Sequence, residues 1–255
     1  MEIISKGEGN SLINNYVWFK DEKVIENFLY SIDEIANSLP ENIKILGIGS
    51  GTGILDYSVK RHLEEHYGKT VQLTLSDRYT EEISVKDAEI FQVDNKNLPF
   101  DNDTFDLVIT RSVTHYEDTR KDVLRVLNEI HRVIKPSGYF VNQALFFDDA
   151  SEIKLLTEIN NLLPKYLTLE KKEDVISEHR EIFNTVSSAK IQPTIPLTTV
   201  RAEFIKRYNL QDETIPNKIV DLISQSPSTE NLKNIWTKNN DFGWSVNYTI
   251  LICKK

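Results

Sequence analysis

Three glycines at alternate positions follow a short apolar run in the first fifth of the chain. Residues 44–48 have the composition of a buried strand, and Gly49, Gly51 and Gly53 come directly after them. Small residues at such a point suit a backbone that turns sharply into a helix and lets a ligand lie against bare peptide. The dinucleotide fingerprint G-x-G-x-x-G would place glycine or alanine one position later, where this chain has Ile54. The spacing therefore favours a nucleoside ligand without a pyrophosphate.

Two carboxylates stand at the ends of later predicted strands. Residues 71–75 alternate in polarity and stop near Asp77, and residues 89–93 are followed by Asp94 and Asn95. Ligands of open parallel sheets bind beyond the carboxyl ends of the strands. There Asp77 can accept both ribose hydroxyl protons and Asp94 can accept from the adenine amine, although each could instead cap a turn. S-adenosylmethionine (SAM) is the commonest nucleoside ligand without a pyrophosphate.

Alternating strands and helices must position these side chains. Hydrophobic periodicity predicts helices at 54–67 and 123–134 and strands at 43–48, 71–75, 89–93, 105–110 and 139–144. Such alternation predicts a parallel, doubly wound α/β sheet with right-handed crossovers.

The segments on either side of this core are predicted to be mainly helical. Over 11–39 apolar residues recur at helical spacing, and there Tyr16, Trp18 and Phe19 either pack on the sheet or form a lid over a ligand. Beyond the core we expect helices at 150–164, 171–183, 199–208, 215–225 and 229–238, an edge-type strand at 189–197 and a last strand at 244–252. We therefore expect one domain over 1–255, with an N-terminal helical lid (1–42), a cofactor-binding core (43–148), substrate-covering helices with an edge strand (149–243) and a C-terminal strand (244–255).

Composition narrows the class of protein. The chain has 255 residues, 40% of them hydrophobic, and no stretch approaches the roughly 18 consecutive apolar residues of a membrane span. A formal net charge of −9 disfavours a broad nucleic-acid footprint, which would need clustered Lys and Arg. The N-terminus lacks the features of a signal peptide and the single Cys253 cannot form an intramolecular disulfide, so we expect a cytoplasmic protein. A small-molecule acceptor is favoured over nucleic acid or a membrane, with the protein a monomer or homodimer.

Two other chemistries fit the residue spacing poorly. His62 and His66 lie four residues apart, but the H-E-x-x-H pattern of a zinc site is absent, so we expect no metal. The run from Gly49 to Gly51 contains Ser50 but lacks the G-x-S-x-G spacing of a hydrolase nucleophile elbow.

Taken in order, the motifs resemble those of the class I SAM-dependent methyltransferases. They are ILGIGSGTG at 45–53, Asp77, Asp94, LPF at 98–100, FDLV at 105–108 and LNEIHRVIKPSG at 127–138. The resemblance implies a Rossmann-like, seven-stranded sheet with its last strand antiparallel and SAM lying across the carboxyl edge. It also implies cofactor contacts from Gly49, Ser50, Gly51, Gly53, Asp77, Asp94, Asn95 and Thr110.

The chain departs from that family at two positions. Gly47 stands where the family usually has Asp or Glu, so a contact that organises the methionine end of SAM must be supplied otherwise. Ser137 replaces the first glycine of a Pro-Gly-Gly turn, a change that we expect to matter little.

Within the family, the chain resembles more weakly the histamine N-methyltransferase-like small-molecule methyltransferases. The resemblance rests on the long N-terminal helical lead, the helical insert before the last strand and Asn247 at the start of that strand. It implies substrate contacts from Tyr16, Trp18, Phe19, Arg111, His115, Tyr116, Gln143 and Asn247. Arg111 stands where that enzyme carries an amide, which favours an anionic acceptor through bidentate pairing. Arg111 could instead form a surface ion pair with Glu117 or Asp118.

These resemblances imply in-line methyl transfer from SAM to a nitrogen or oxygen of a small organic molecule, with S-adenosylhomocysteine as the product. His115 would position the acceptor or take its proton, because an imidazole titrates near neutral pH. Three alternatives stay open, namely methylation of a macromolecule, SAM binding without catalysis, and a nicotinamide-dependent dehydrogenase.

Overall fold

The computed structural model describes residues 22–146, 149–163, 171–188, 195–197, 205, 210–226 and 235–255. The side chains of residues 23, 188, 195–197, 236, 238 and 244–247 fall outside that description. So do Tyr16, Trp18 and Phe19 of the predicted lid, and all but one residue of the predicted helix at 199–208.

A twisted sheet forms the centre of the molecule. Its strands are β1 (Asn42–Ile48), β2 (Thr70–Asp77), β3 (Glu89–Gln92), β4 (Phe105–Arg111), β5 (Ile134–Phe146), β6 (Thr185–Ser188), β7 (Ile195–Leu197), β8 (Ile235–Lys238) and β9 (Asp241–Lys254). Seven of them follow the order β3-β2-β1-β4-β5-β9-β6, while β7 and β8 pair with the first half of β9. The neighbouring pairs among β1 to β5 are parallel, and β9 is antiparallel to both β5 and β6. The predicted Rossmann-like, doubly wound sheet with an antiparallel last strand is confirmed.

Helices cover both faces of this sheet. They are α1 (Glu22–Ala36), α2 (Ile54–Tyr67), α3 (Arg120–Val133), α4 (Ala150–Asn160), α5 (Lys172–Arg180) and α6 (Thr214–Gln225). Successive side chains of β1 point to opposite faces, so Ile45 packs into a core with Phe28 of α1, while Leu46 packs into a second core with Leu127 of α3. Burial on both faces explains why the central strands read as nearly continuous apolar runs. None of the helices in the described ranges has the length and apolar character needed to cross a membrane.

The prediction for 229–238 is wrong in its described part, which is a strand. Ile235–Lys238 forms β8 and joins β9 through Asn239 and Asn240, whose φ angles are 52° and 62°. A two-residue hairpin turn with positive φ at both positions suits asparagine, and it matches the twist of the flanking strands. A further strand, Thr185–Ser188, pairs with the end of β9 at the sheet edge, upstream of the edge strand predicted at 189–197. Of that predicted strand, the structure describes Ile195–Leu197 as β7.

His62 lies at the contact between two helices. Its Nε2 is 2.6 Å from the Asp33 Oδ1 of α1, and the Tyr67 hydroxyl donates to the same oxygen at 2.8 Å. Because both partners of Asp33 lie on α2, this pair of contacts fixes α1 against α2.

The turn within β5 provides a stability prediction. Exposed Ser137 has a φ of 67°, a left-handed conformation that costs a residue with a side chain roughly 1–2 kcal/mol. Since glycine adopts this conformation freely but loses more entropy on folding, Ser137→Gly should raise the free energy of unfolding by about 0.5–1 kcal/mol in urea denaturation.

Gly68 provides the matched control. Its φ is 64° and an added Cβ would meet no atom within 4 Å, so Gly68→Ser changes the backbone preference without a clash. It should lower the free energy of unfolding by about 1 kcal/mol. If Ser137→Gly left stability unchanged or lower while Gly68→Ser behaved as expected, contacts of the Ser137 side chain would have to compensate for its backbone conformation.

Candidate cofactor and acceptor site

A cavity opens at the carboxyl ends of β1, β2 and β4. With its mouth it encloses about 990 Å³. Its lining comprises the glycine loop from Gly49 to Thr52, Asp56 of α2, the end of β2 from Asp77 to Tyr79, Asn95, the end of β4 from Thr110 to Val113, and Tyr116 with Glu117. Parallel strands bring their carboxyl ends to one edge, which is why residues so far apart in the sequence meet here.

The glycine loop is shaped by close approaches to its neighbours. Gly49 has a φ of 62°, and a Cβ there would lie 2.5 Å from Val113 Cγ2. The Ser50 N–H donates to the Ser76 carbonyl at 3.1 Å, and the Gly53 N–H donates to the Ser50 carbonyl at 2.8 Å. Gly53, with a φ of 77°, then begins α2 as its N-cap. At its glycines the loop therefore presents bare backbone to the cavity.

Asp77 connects this loop to the end of β2. Its side chain is 8% exposed, its Oδ2 accepts from the Gly51 N–H at 2.9 Å, and its Oδ1 accepts from the Tyr79 N–H at 3.0 Å. Burial raises the pKa of Asp77, and the backbone N–H groups with the charge of Arg78 partly oppose this. A carboxylate oxygen has more than one acceptor position, so these two bonds leave each oxygen able to accept a ligand hydroxyl.

Asp94 and Asn95 occupy different places in the turn after β3. Asp94 is exposed, its Oδ1 accepts from the Lys96 N–H at 3.0 Å, and the cations of Lys96 and Arg78 lie 3.6 and 3.8 Å away. Partial burial acts to raise the pKa of Asp94, but these contacts lower it overall. Asn95 lines the cavity, and its Oδ1 is buried with no hydrogen-bond partner among the described residues. Asn95 thus offers the cavity a buried acceptor, while the predicted adenine contact of Asp94 stays a prediction.

The space beside Gly47 is filled from a helix. A Cβ on Gly47 would overlap the Asp56 carboxylate and lie 2.7 Å from Ser50 Oγ. Asp56 stands in the first turn of α2 and is only 4% exposed. Burial raises the pKa of Asp56 to about 7. Its own backbone N–H and the charge of Arg111 oppose this rise, whereas the charge of Asp77 adds to it. Where the family usually has an acid on β1, this chain therefore has an acid on α2.

A buried chain of hydrogen bonds holds the end of β4. The Thr110 hydroxyl donates to Asn142 Oδ1 at 2.7 Å, and the Asn142 amide donates to His179 Nε2 at 2.9 Å. His179 Nδ1 donates to the Val175 carbonyl at 2.8 Å, so the ring is neutral, in agreement with burial lowering its pKa to about 4 against the effect of that carbonyl. Sequence reasoning missed Asn142 and His179. The sequence signal that could have indicated Asn142 is its place as a polar residue in the middle of the apolar run at 139–146.

Arg111 and Gln143 are neighbours on the α1 and α2 face of the sheet. They pair in the β4–β5 register, and Arg111 lines the cavity. Burial lowers the pKa of Arg111 to about 10, opposed by the charges of Asp56 and Tyr248. Gln143 is fully buried, and neither its amide nitrogen nor its amide oxygen has a hydrogen-bond partner among the described residues.

The other predicted substrate residues are placed as follows. His115 is 5% exposed, in a short 3-10 turn (Thr114–Tyr116), and its ring centroid lies 4.2 Å from that of cavity-lining Tyr116. Asn247 pairs with Phe146 in the β5–β9 register, and its side chain is outside the described residues.

Comparisons with known proteins agree with this geometry. A family model described as a methyltransferase domain matches residues 46–142. Among curated proteins, the mitochondrial arginine-hydroxylase NDUFAF5 of Mus musculus is 29% identical over 136 residues, covering 52% of this chain and 37% of that protein. The chain thus spans little more than a third of the length of this relative.

Two solved structures show the same fold. The YcgJ protein of Bacillus subtilis matches with a TM-score of 0.68 at 16% identity, covering 89% of this chain and 98% of that one. A possible histamine N-methyltransferase from Thermotoga maritima matches with a TM-score of 0.52 at 14% identity, and the match covers 98% of this chain and 100% of that chain. At these identities the likeness concerns the fold alone. Residues 46–142 therefore match a methyltransferase-domain model, and the chain has the Rossmann-like fold of these two structures, in agreement with its class I SAM-dependent methyltransferase motifs.

Proposed function

We propose that this protein transfers a methyl group from SAM to a nitrogen or oxygen atom of a small organic molecule. One observation carries the proposal: the glycine loop, Asp77, Asn95 and Arg111 all line the same cavity. It combines groups suited to a nucleoside with a cation suited to a second ligand.

The residues present fit SAM as the cofactor of this family. Gly49, where a Cβ would collide with Val113, lines the cavity with backbone alone. Asp77 offers carboxylate oxygens for ribose hydroxyls, and the orphaned Asn95 Oδ1 offers a buried acceptor for the adenine amine. Gly51, Gly53, Ser50, Asp94 and Thr110 complete the proposed cofactor contacts. When bound, SAM supplies a methyl group on a sulfonium ion, which is already activated for displacement.

The chain's own contribution is to orient the acceptor and to keep water out. Good orientation can supply about 7–11 kcal/mol of a barrier, so no covalent intermediate is needed. The bonded series from Thr110 through Asn142 to His179 holds the end of β4 in one position. A neutral amine needs no strong base, and His115 then serves to hold Tyr116 and the acceptor in place. A phenol or alcohol would instead give its proton to His115.

The acceptor is proposed to lie on the side of the cavity lined by Arg111, with the fully buried Gln143 beside that arginine on β5. A guanidinium beside an unsatisfied amide suits an acceptor that carries a carboxylate or another anion near the nucleophilic atom. The remaining proposed acceptor contacts are Tyr16, Trp18, Phe19, His115, Tyr116 and Asn247.

Activity can be tested with SAM carrying a trideuterated methyl group. The protein is incubated with this SAM and an unfractionated cell extract, the mixture is then divided with a small-molecule filter, and labelled products in both fractions are detected by mass spectrometry. We expect a labelled small molecule that anion exchange retains. Label found only in material above a small-molecule filter would show a macromolecular acceptor, and SAM binding with no labelled product would show a binding protein. Either result would overturn the proposal.

Asp77→Ala tests the nucleoside site. Because a charged acceptor of two backbone N–H groups and the proposed ribose contacts would be lost, the Kd for S-adenosylhomocysteine should rise about tenfold to a hundredfold in isothermal titration calorimetry. Asp101→Ala is the control, since Asp101 is an exposed carboxylate in a turn away from the cavity. An unchanged Kd for Asp77→Ala would remove Asp77 from the ribose role.

Arg111→Gln tests the acceptor site. The glutamine keeps hydrogen-bonding capacity but loses the charge, so KM for an anionic acceptor should rise about tenfold or more while kcat changes less. Arg61→Gln is the matched control, because Arg61 is exposed on α2 and pairs with Glu65. An unchanged KM would place the acceptor away from Arg111.

A further inference from the structure

Asp56 is a buried carboxylate in the first turn of α2, at a position where packing against the sheet does not require an acidic side chain. It is 4% exposed, and it lines the cavity together with Arg111, whose charge acts on it. Burying a carboxylate is costly even when a cation such as Arg111 lies in the same cavity, and groups that are retained at such a cost cluster at functional sites.

Its location corresponds to the missing acid of the glycine-loop strand. Gly47 pairs with Leu75 of β2 and Ile109 of β4, in the centre of the sheet. Any side chain on Gly47 would collide with the Asp56 carboxylate, so the two positions compete for one volume. Only one of them can carry the acid, and in this chain it is the helix residue.

The surroundings favour an anion that receives a ligand cation. The N-terminal turn of α2 and the Asp56 backbone N–H favour negative charge at this point, as does the guanidinium of Arg111. Ser50 Oγ is buried beside the carboxylate, at the same place next to Gly47, with no hydrogen-bond partner among the described residues, and Asp77 is the like charge that faces Asp56 from β2. A ligand ammonium would satisfy the carboxylate and relieve its repulsion with Asp77.

We infer that Asp56 binds the ammonium group at the methionine end of SAM, supplying from α2 the contact that relatives with an acid on β1 make from that strand. This assignment rests on the proposed function, because it requires SAM in the cavity. It makes Asp56 a cofactor-binding residue and explains how the loop functions with Gly47.

Two nucleoside ligands separate this role from a structural one. S-adenosylhomocysteine carries the ammonium and carboxylate, whereas 5′-methylthioadenosine lacks both. Asp56→Asn is nearly isosteric and should weaken S-adenosylhomocysteine about tenfold to a hundredfold in calorimetry, with 5′-methylthioadenosine bound within about twofold of the original protein. If the substitution weakens both ligands equally, Asp56 only supports the loop and the inference fails. If neither ligand binds the unaltered protein, it is the proposed function that fails.

A transfer of the acid provides the rescue. Gly47→Asp alone should abolish binding of both ligands, because its side chain collides with Asp56. The double variant Gly47→Asp with Asp56→Ala removes the collision with Asp56 and leaves only Ser50 Oγ, a rotatable hydroxyl 2.7 Å from the new Cβ, to turn aside. It should recover most of the affinity for S-adenosylhomocysteine that Asp56→Ala alone loses. If the double variant stays as weak as Asp56→Ala while 5′-methylthioadenosine binds normally, the carboxylate does not act on the ligand from this volume.

The pH dependence of binding gives an independent readout. Burial raises the pKa of Asp56 to about 7, opposed by Arg111 and increased by Asp77. An ammonium binds the ionised form, so the affinity for S-adenosylhomocysteine relative to 5′-methylthioadenosine should rise about tenfold between roughly pH 6 and pH 8. Asp77 affects both ligands, and their ratio removes its contribution. The ratio should be flat for Asp56→Asn, and a flat ratio in the unaltered protein would contradict the assignment.

Discussion

The hydrogen bond from the Gly51 N–H to the Asp77 carboxylate, 2.9 Å long, is the contact on which the cofactor end of the cavity depends. It joins the glycine loop to the end of β2 in a buried place, where a charge-assisted bond is stronger than in water. Because Gly53 at the end of the loop begins α2, holding the loop also fixes the first turn of that helix. One contact between backbone and carboxylate thus holds the glycine loop, and with it the first turn of α2 that carries Asp56, against the end of β2.

The same constraint explains how the carboxylate at this point of the cavity can be supplied either by a residue of β1 or by a residue of α2. Gly47 on β1 and Asp56 on α2 reach the same volume because the loop between them is short and tightly turned. At that point a carboxylate lies in the favourable field of the N-terminal turn of α2. The charge stays at one point of the cavity while its anchor in the sequence changes. The deviation from the family motif at Gly47 is therefore paired with a second feature nine residues later.

Much of the fold could be predicted because its physical signals are local. Strands covered on both faces read as continuous apolar runs, and the helices between them keep a 3.6-residue period, as in the segment of α3 around Leu127. The β8–β9 hairpin could not be read in this way. Its turn depends on positive φ at Asn239 and Asn240, and asparagine also occurs in many other loops.

Some residues of the candidate site could likewise be predicted from the sequence, and others could not. The positions of Gly49 and Asp77 follow from strand ends, and both line the cavity. Asp56 and His179 were not predicted as site residues, because their roles depend on how α2 and α5 are rotated against the sheet. That rotation is a tertiary property. Asp94 illustrates the opposite case, since its motif position is as expected while its side chain bonds within its own turn and its neighbour Asn95 offers the buried acceptor.

A crystal structure of the protein with S-adenosylhomocysteine tests the central claim most directly, because it shows the adenosine and methionine ends together. The account predicts ribose hydroxyls on Asp77, the adenine amine within hydrogen-bond distance of Asn95, and the ammonium on Asp56. Electron density for the ligand outside this cavity, or an ammonium bound elsewhere with Asp56 turned away from it, would contradict the account.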